Sequence, residues 1–124
     1  MKKNSILIID DEQIITRALS RAFQKENFLI STANDGEEGL QKILSENPAL
    51  IILDVLMPKL TGLEVLEKIR KSNITTPVIL MTAYGDQKTE SKAKQLGVFA
   101  YLTKPFEDIN DIVSLAKQSM EMSS

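Results

Sequence analysis

The residues with the clearest chemical potential in this sequence follow or end short apolar runs. An Asp-Asp-Glu triplet at residues 10–12 follows the first run, and Asp54 ends a later one. Thr82 and Lys104 come at or just after the ends of two further runs. Carboxylates are ligands for hard divalent cations such as Mg²⁺, and a lysine and a hydroxyl beside them suit a transferring phosphoryl group. A carboxylate can also be the nucleophile and form an aspartyl-phosphate, a role for which Asp54 is the best candidate.

The composition removes most other catalytic arrangements. The 124 residues contain no histidine, cysteine or tryptophan. Ser–His–Asp and Cys–His catalysis, disulfides and cysteine-rich zinc sites are therefore excluded. No Gly-x-Gly-x-x-Gly or Gly-x-x-x-x-Gly-Lys-Ser/Thr motif is present, which argues against a flavin- or nucleotide-binding module.

The charge and hydropathy patterns favour a cytoplasmic domain. Fifteen Lys/Arg against 17 Asp/Glu give a net charge of −2, with no basic cluster that would indicate nucleic acid or a membrane surface. The longest apolar runs, residues 49–53 and 98–102, are far shorter than the roughly 20 residues of a transmembrane helix. The apolar run after the charged start is also too short for a signal peptide.

Five short apolar runs alternate with stretches of helical length. The runs cover residues 6–9, 28–30, 50–53, 78–81 and 98–102. The first helix is predicted to pack through residues at helical spacing, namely Ile14, Ile15, Ala18, Leu19, Ala22 and Phe23. Five strand–helix units in this order predict a single α/β domain with a doubly wound parallel sheet, spanning residues 1–124 with an ordered core of about 4–121.

Ligands of such sheets bind beyond the carboxyl ends of the strands, so the polar residues there should lie together. Several carboxylates on adjacent strand ends would repel one another, and a divalent cation would offset the repulsion. Alternatives remain for single residues. Asp10 or Asp11 could cap the first helix, and Lys104 before Pro105 could belong to a plain turn.

The fourth predicted helix is much more polar than the others. Residues 86–95 read Asp-Gln-Lys-Thr-Glu-Ser-Lys-Ala-Lys-Gln, with Ala93 and then Leu96 as almost its only apolar contacts. Because short helices draw most of their stability from a buried face, we expect this segment to be the least stable part of the domain.

These motifs together resemble the receiver domains of two-component response regulators. The matching stretches are residues 6–12 (Ile-Leu-Ile-Ile-Asp-Asp-Glu), 53–58 (Leu-Asp-Val-Leu-Met-Pro) with Gly62, 81–83 (Met-Thr-Ala) and 101–106 (Tyr-Leu-Thr-Lys-Pro-Phe). The resemblance covers essentially the whole chain. It implies a flavodoxin-like sheet of strand order 2-1-3-4-5 with helices on both faces.

The resemblance also implies a phosphoacceptor site with Mg²⁺ as cofactor. Asp54 is similar to the residue that takes a phosphoryl group from a partner phosphohistidine. Asp11, Asp54 and the backbone carbonyl of Leu56 resemble the metal ligands, and Asp10 resembles the acid that holds metal-bound water. Since the chain has no histidine, the phosphate donor must lie outside it.

Four further positions correspond to the residues that respond to phosphate in that family. Lys104 resembles the cation that pairs with the phosphoryl oxygens, and its bond to Pro105 is expected to be cis. Thr82 resembles the hydroxyl that moves onto the phosphate, with the Ala83 amide nearby. Tyr101 resembles the aromatic switch that turns inward when Thr82 moves.

The implied partners are a sensor histidine kinase or histidine phosphotransfer protein, and an effector that binds the face formed by residues 86–121. The chain would be a monomer or a phosphorylation-dependent homodimer, without direct contact to nucleic acid or membrane. It would not be an enzyme beyond its own phosphorylation and dephosphorylation. No effector domain is expected within these residues, and both a stand-alone regulator and a piece of a longer protein remain open.

Two positions bear on the lifetime of the phosphate, Leu56 and Tyr84. Neither offers a carboxylate or amide to orient an attacking water, so we expect slow self-dephosphorylation. Two alternatives have different signatures. A phosphatase-like enzyme would need an acid where Leu56 stands, and a degenerate receiver that serves only as an interaction module would have lost an acid or the lysine.

Overall fold

Strands and helices alternate along the whole chain in this computed structural model, which describes residues 4–83 and 85–123. The elements are β1 (Ser5–Ile9), α1 (Gln13–Gln24), β2 (Leu29–Ala33), α2 (Gly36–Glu46), β3 (Leu50–Asp54), α3 (Gly62–Lys71), β4 (Val78–Thr82), α4 (Gln87–Gln95), β5 (Ala100–Thr103) and α5 (Ile109–Ser123). The five predicted strand–helix units are confirmed.

The strands form one parallel sheet of order β2-β1-β3-β4-β5. Strand β3 is central and pairs with β1 through Leu53 opposite Ile9, and with β4 through Asp54 opposite Met81. All five residues of β3 and of β4 are buried, as expected for strands covered by helices on both faces. The predicted doubly wound, flavodoxin-like sheet is confirmed.

Two apolar cores lie on opposite faces of the sheet. On one face, alternate strand residues pack against α2, α3 and α4, with Leu66 and Ile69 of α3 fully buried. On the other face, α1 and α5 supply buried residues that include Leu19, Phe23 and Ala116. The Phe23 ring meets Phe28 edge to face at 5.7 Å between centroids. The helices packed on both faces hold the strands, and therefore the polar residues at the strand ends, in fixed positions.

The predicted face of α1 is wrong at two positions. Ile14 is 85% exposed and Ala18 is exposed, whereas Thr16 is buried beside Leu19 and Phe23. Thr16 can be buried because its hydroxyl donates to the backbone carbonyls of Asp10 and Glu12. The helix is therefore rotated so that a threonine, rather than Ile14, faces the sheet.

Two strand predictions were wrong at their ends. The run at residues 28–30 was predicted as a strand, but β2 is Leu29–Ala33, and the run at 98–102 gives a strand only over Ala100–Thr103. In both cases the strand continues into polar residues, because ladder hydrogen bonds to a neighbour do not require apolar side chains. The last helix begins at Ile109.

Helix α4 has little buried surface, as its sequence predicted. Ala93 is its one buried residue, and Asp86 caps its start by accepting a hydrogen bond from the Thr89 amide at 2.6 Å. By contrast, α3 buries four residues and begins with a reciprocal capping box between Thr61 and Glu64. Among the described residues, no helix combines the length and apolar character needed to cross a bilayer.

Candidate functional site

The predicted site residues converge at the carboxyl edge of the sheet. Asp10 follows β1, Asp54 ends β3, Thr82 ends β4, and Lys104 follows β5. These four strands are consecutive in the sheet, so their ends form one row. Asp10 and Thr82 are fully buried, and Asp54 is only 3% exposed. The edge therefore presents buried polar groups where a doubly wound sheet binds its ligands.

Three carboxylates in this row lie close enough to share one cation. Asp10, Glu12 and Asp54 each offer an oxygen atom, and these atoms lie within 4.8 Å of one another. Asp11 is exposed and does not belong to this group, although the sequence analysis placed it among the metal ligands. Glu12 does belong to the group, and the sequence analysis had given it no separate role.

Neither Asp10 nor Asp11 is the N-cap of the first helix. The N-cap is Glu12, whose side chain makes no capping hydrogen bond. The Asp10 side chain instead accepts a hydrogen bond from the Glu12 amide at 2.9 Å, which fixes the chain immediately after β1. The carboxylate of Asp10 thereby keeps its other oxygen directed into the site.

The ammonium group of Lys104 sits among the three carboxylates. Its Nζ atom lies 2.9 Å from Asp10 Oδ2, 2.7 Å from Glu12 Oε1 and 3.5 Å from Asp54 Oδ1. Lys104 is anchored by its amide, which donates to the Thr82 carbonyl at 2.8 Å. The Lys104–Pro105 peptide bond is cis, as expected. The alternative that Lys104 lies in a plain turn is excluded, because its side chain is only 7% exposed and points into the site.

The carboxylates of the site carry more negative charge than the single Lys104 ammonium group can neutralise. Burial and, to a lesser extent, the negative charge of Asp10 raise the pKa of Asp54 against the opposing charge of Lys104, and the net result is a pKa of about 7. Burial lowers the pKa of Lys104, but hydrogen bonds to Glu12 and Asp10 outweigh it, so that the pKa is raised overall. One ammonium group does not neutralise three carboxylates, and the oxygen-only donor set suits a hard divalent cation. The residues present therefore fit Mg²⁺.

Gly62, the first residue of α3, packs closely against the backbone at the end of β3. The Gly62 amide donates to the Val55 carbonyl at 2.8 Å, and the Val55 amide donates to the Met81 carbonyl at 2.8 Å. A Cβ at position 62 would lie 2.2 Å from the backbone oxygen of Asp54. Only glycine permits this close approach of the start of α3 to the end of β3. The Leu56 side chain is 50% exposed.

The predicted response residues lie along β4 and β5. Ala83 is exposed directly after the buried Thr82. Tyr101 on β5 is partly buried, and its hydroxyl oxygen is buried without a hydrogen-bond partner among the described residues. Burial and the negative charges of Asp86 and Glu90 raise the pKa of this hydroxyl. Tyr84, the second position assigned to phosphate lifetime, lies outside the described residues.

A family model described as the response regulator receiver domain matches residues 6–117. Among curated proteins, the regulatory protein AtoC of Escherichia coli is 39% identical over 121 residues, which cover 96% of this chain and 26% of that protein. The alkaline phosphatase synthesis transcriptional regulatory protein PhoP of Bacillus subtilis is 39% identical over 101 residues, covering 82% of this chain and 42% of PhoP. The chain thus spans less than half the length of these two relatives.

Solved structures show the same architecture. The receiver domain of the Francisella response regulator 1452 superposes with a TM-score of 0.92 at 30% identity, covering 98% of this chain and 99% of that one. A CheY-like response regulator receiver domain protein from Methanospirillum hungatei gives a TM-score of 0.90 at 28% identity, covering 96% and 94%. The likeness extends over the full length of both structures.

Proposed function

The chain belongs to the response regulator receiver domains of two-component systems, and on this premise we propose that Asp54 is the residue that accepts the phosphoryl group. The observation that carries the proposal is the placement of Asp54. It ends the central strand with its side chain almost fully buried, and its carboxylate lies beside that of Asp10 and 3.5 Å from the Lys104 ammonium group. No other described carboxylate combines this burial with a position at the centre of the row.

The transfer is a displacement at phosphorus. A carboxylate oxygen of Asp54 attacks the phosphorus of a partner's phosphohistidine, the P–N bond breaks, and its electron pair returns to the imidazole nitrogen, which takes a proton. Burial of Asp54 at the end of a rigid strand fixes the attacking oxygen, so that little orientational freedom is lost in the transition state.

Asp11, although exposed and outside the Asp10–Glu12–Asp54 group, would hold Mg²⁺ together with Asp54 and the backbone carbonyl of Leu56, with Asp10 orienting a metal-bound water. Bound there, Mg²⁺ would supply positive charge to the phosphoryl oxygens in the transition state. Glu12 lies with Asp10 and Asp54 in one group of three carboxylates. The raised pKa of Asp54 supports this proposal. It shows that the ionised carboxylate lacks sufficient positive charge around it, and a bound cation would favour that ionised, nucleophilic form.

Lys104, Thr82 and Ala83 would receive the new charge on Asp54. The Lys104 ammonium group is within reach of Asp54, and the Thr82 hydroxyl and the Ala83 amide lie at the end of the adjacent strand. Movement of Thr82 toward the phosphoryl group would open a space that Tyr101 can fill. The Tyr101 hydroxyl is buried without a hydrogen-bond partner among the described residues, which supports a switch role because no such bond is lost when the ring changes position.

Response regulators work with sensor kinases and effectors, and we propose the face formed by residues 86–121 as the effector surface here. The phosphoryl donor would be a sensor histidine kinase or a histidine phosphotransfer protein. We further propose a cytoplasmic location, where ATP phosphorylates such kinases, and a chain that is either a monomer or a homodimer formed on phosphorylation. AtoC and PhoP are named as regulators, but their activities as whole proteins depend on more chain than is matched here.

Phosphoacceptor function is tested by labelling with acetyl phosphate and Mg²⁺. The wild-type chain is expected to gain the mass of one phosphoryl group, and Asp54→Asn is expected to gain none because the nucleophilic oxygen is lost. Glu107→Gln serves as the matched control, since Glu107 is an exposed acid near the same edge. Undiminished labelling of Asp54→Asn would reject the assignment.

A phosphatase-like activity is disfavoured because Leu56 stands two residues after Asp54. An enzyme of that type needs an acid at this position to protonate the leaving group, and Leu56 carries none. A receiver that acts only as an interaction module is disfavoured because Asp10, Asp54 and Lys104 are all present and in mutual contact. Calorimetric titration with Mg²⁺ separates this last alternative, which predicts no binding.

A further inference from the structure

The closest partner of Lys104 is Glu12, a residue to which the proposed phosphoryl chemistry assigns no task. The two side chains are 2.7 Å apart, closer than Lys104 is to Asp10 or Asp54. They differ in burial, because the Glu12 side chain is 55% exposed while those of Asp10 and Asp54 are almost completely buried. Glu12 is thus the solvent-facing member of the three carboxylates around the ammonium group.

The backbone around Glu12 holds its side chain in this position. The Glu12 amide donates to Asp10 Oδ1, and the Glu12 carbonyl accepts from the Thr16 amide at 3.1 Å at the start of α1. Although Glu12 is the N-cap, its side chain caps no amide. Both backbone groups are therefore committed to the helix start, and the carboxylate is available to reach Lys104.

A phosphoryl group on Asp54 would compete for the same ammonium hydrogens. Hydrogen bonds to Asp10 and Glu12 occupy two of the three N–H donors of Lys104 and hold its Nζ atom 3.5 Å from Asp54 Oδ1, so a closer approach to the phosphoryl group would weaken one of these two bonds. Releasing Asp10 would leave a fully buried carboxylate unpaired, which is costly. Releasing Glu12 is far less costly, since its exposed carboxylate would be hydrated at once. Glu12 is therefore the partner that Lys104 can exchange.

We propose that Glu12 is a positioning residue that holds Lys104 at the mouth of the site in the unphosphorylated domain and gives it up to the phosphoryl group. The proposal rests on the proposed phosphoacceptor function of Asp54. Its consequence is that Glu12 weakens binding of a phosphoryl group by competing for Lys104. Glu12 thereby sets how readily the domain passes into its phosphorylated state.

The test is a double-mutant cycle with Glu12→Gln and Lys104→Met. The probe is beryllofluoride, a phosphoryl analogue, titrated calorimetrically into each variant at saturating Mg²⁺. We expect Glu12→Gln alone to lower the Kd about threefold, within what a partly exposed ion pair contributes. In the Lys104→Met background the same substitution should change the Kd less than about 1.5-fold, because the competitor's target is gone. Glu107→Gln is the matched control and should leave the Kd unchanged.

Three results would overturn the proposal. An unchanged or higher Kd for Glu12→Gln would show that no competition exists. An equal gain in the Lys104→Met background would show that Glu12 repels the anion directly rather than acting through Lys104. In a separate calorimetric titration with Mg²⁺, a Kd that rises tenfold or more with Glu12→Gln in both backgrounds would make Glu12 a metal ligand instead.

The cycle also separates this proposal from the function on which it rests. If the wild-type chain does not bind beryllofluoride, or if Asp54→Asn binds it equally well, the phosphoacceptor assignment itself fails. If the wild-type chain binds the analogue through Asp54 and the cycle shows no coupling between Glu12 and Lys104, only the role of Glu12 fails.

Discussion

Strand β3 and the α4–β5 segment (Gln87–Thr103) are parts of one sheet domain but are held very differently. Every residue of β3 is buried, and it has a hydrogen-bonded strand on each side. Strand β5 lies at the edge of the sheet with no fully buried residue, and α4 buries only Ala93. The proposed acceptor carboxylate thus stands on a fully buried strand with a partner on each side, whereas the α4–β5 segment has few buried residues.

The attachment of α4 is concentrated at one end. The Arg70 guanidinium group of α3 donates to the carbonyls of Leu96 and Gly97 at the end of α4, and to those of Ile74 and Thr76 before β4. The beginning of α4 is held by its own Asp86 cap. Phosphoryl transfer to Asp54 requires carboxylate oxygen atoms that are held in place. A conformational switch instead requires a segment whose alternative positions differ little in free energy.

The largest expected effect is a difference in stability between the two regions. Leu66→Ala should lower the free energy of unfolding by about 3 kcal/mol, because it leaves a cavity in the fully buried core. Leu96→Ala, at the partly exposed end of α4, should lower it by about 1 kcal/mol. Urea denaturation measures both, and equal losses would contradict the view that α4 is loosely packed.

A smaller effect on the free energy of unfolding is expected from the buried carboxylate of Asp54 at the end of β3. Because the pKa of Asp54 is raised from 3.8 to about 7, its contribution to stability is present below about pH 4 and is lost as the pH rises through about 7. In EDTA, Asp54→Asn should therefore be more stable than wild type at pH 8, by about 2 kcal/mol after allowance for solvent screening.

At pH 4 the two proteins should unfold at nearly the same urea concentration. Asp86→Asn is the matched control in the loose segment. Hydrogen bonding to Thr89 lowers the pKa of this exposed carboxyl, so the substitution should not stabilise the protein at pH 8. A pH-independent difference between wild type and Asp54→Asn would disprove the electrostatic strain at β3.

The smallest expected effect concerns the lifetime of the phosphate, which the β3 side of the molecule should set. We expect Leu56→Asn to shorten the lifetime roughly tenfold, because an amide can orient an attacking water where leucine cannot. Tyr84→Glu should shorten it in the same sense. The decay is followed by intact mass after removal of acetyl phosphate. Lys88→Ala, an exposed position on α4, should leave the decay unchanged, and an unchanged decay for Leu56→Asn would reject slow self-dephosphorylation by this cause.

The convergence of Asp10, Asp54 and Lys104 could be predicted from the sequence because parallel topology brings all strand ends to one edge. The weak packing of α4 could also be predicted, since its polar composition offers no apolar face. Neither inference depended on how any side chain is oriented.

Three features could not be predicted, each for a physical reason. The pairing of Glu12 with Lys104 depends on the rotamers of two long side chains, which spacing does not specify. The partners of Arg70 are backbone carbonyls, which leave no signature in the sequence. The exposure of Ile14 follows from a small rotation of α1 that lets Thr16 bond backbone carbonyls, and helical periodicity alone does not resolve such a rotation.

We propose that phosphoryl binding at the buried end of β3 changes the loosely held α4–β5 segment. Hydrogen exchange at short labelling times, with and without beryllofluoride and Mg²⁺, tests it most directly. We expect the bound analogue to alter hydrogen exchange in residues 86–103. We expect no change in β1 or β3, whose amides are already protected on that timescale. Bound analogue with no change in residues 86–103, or with changes as large in β3, would contradict it.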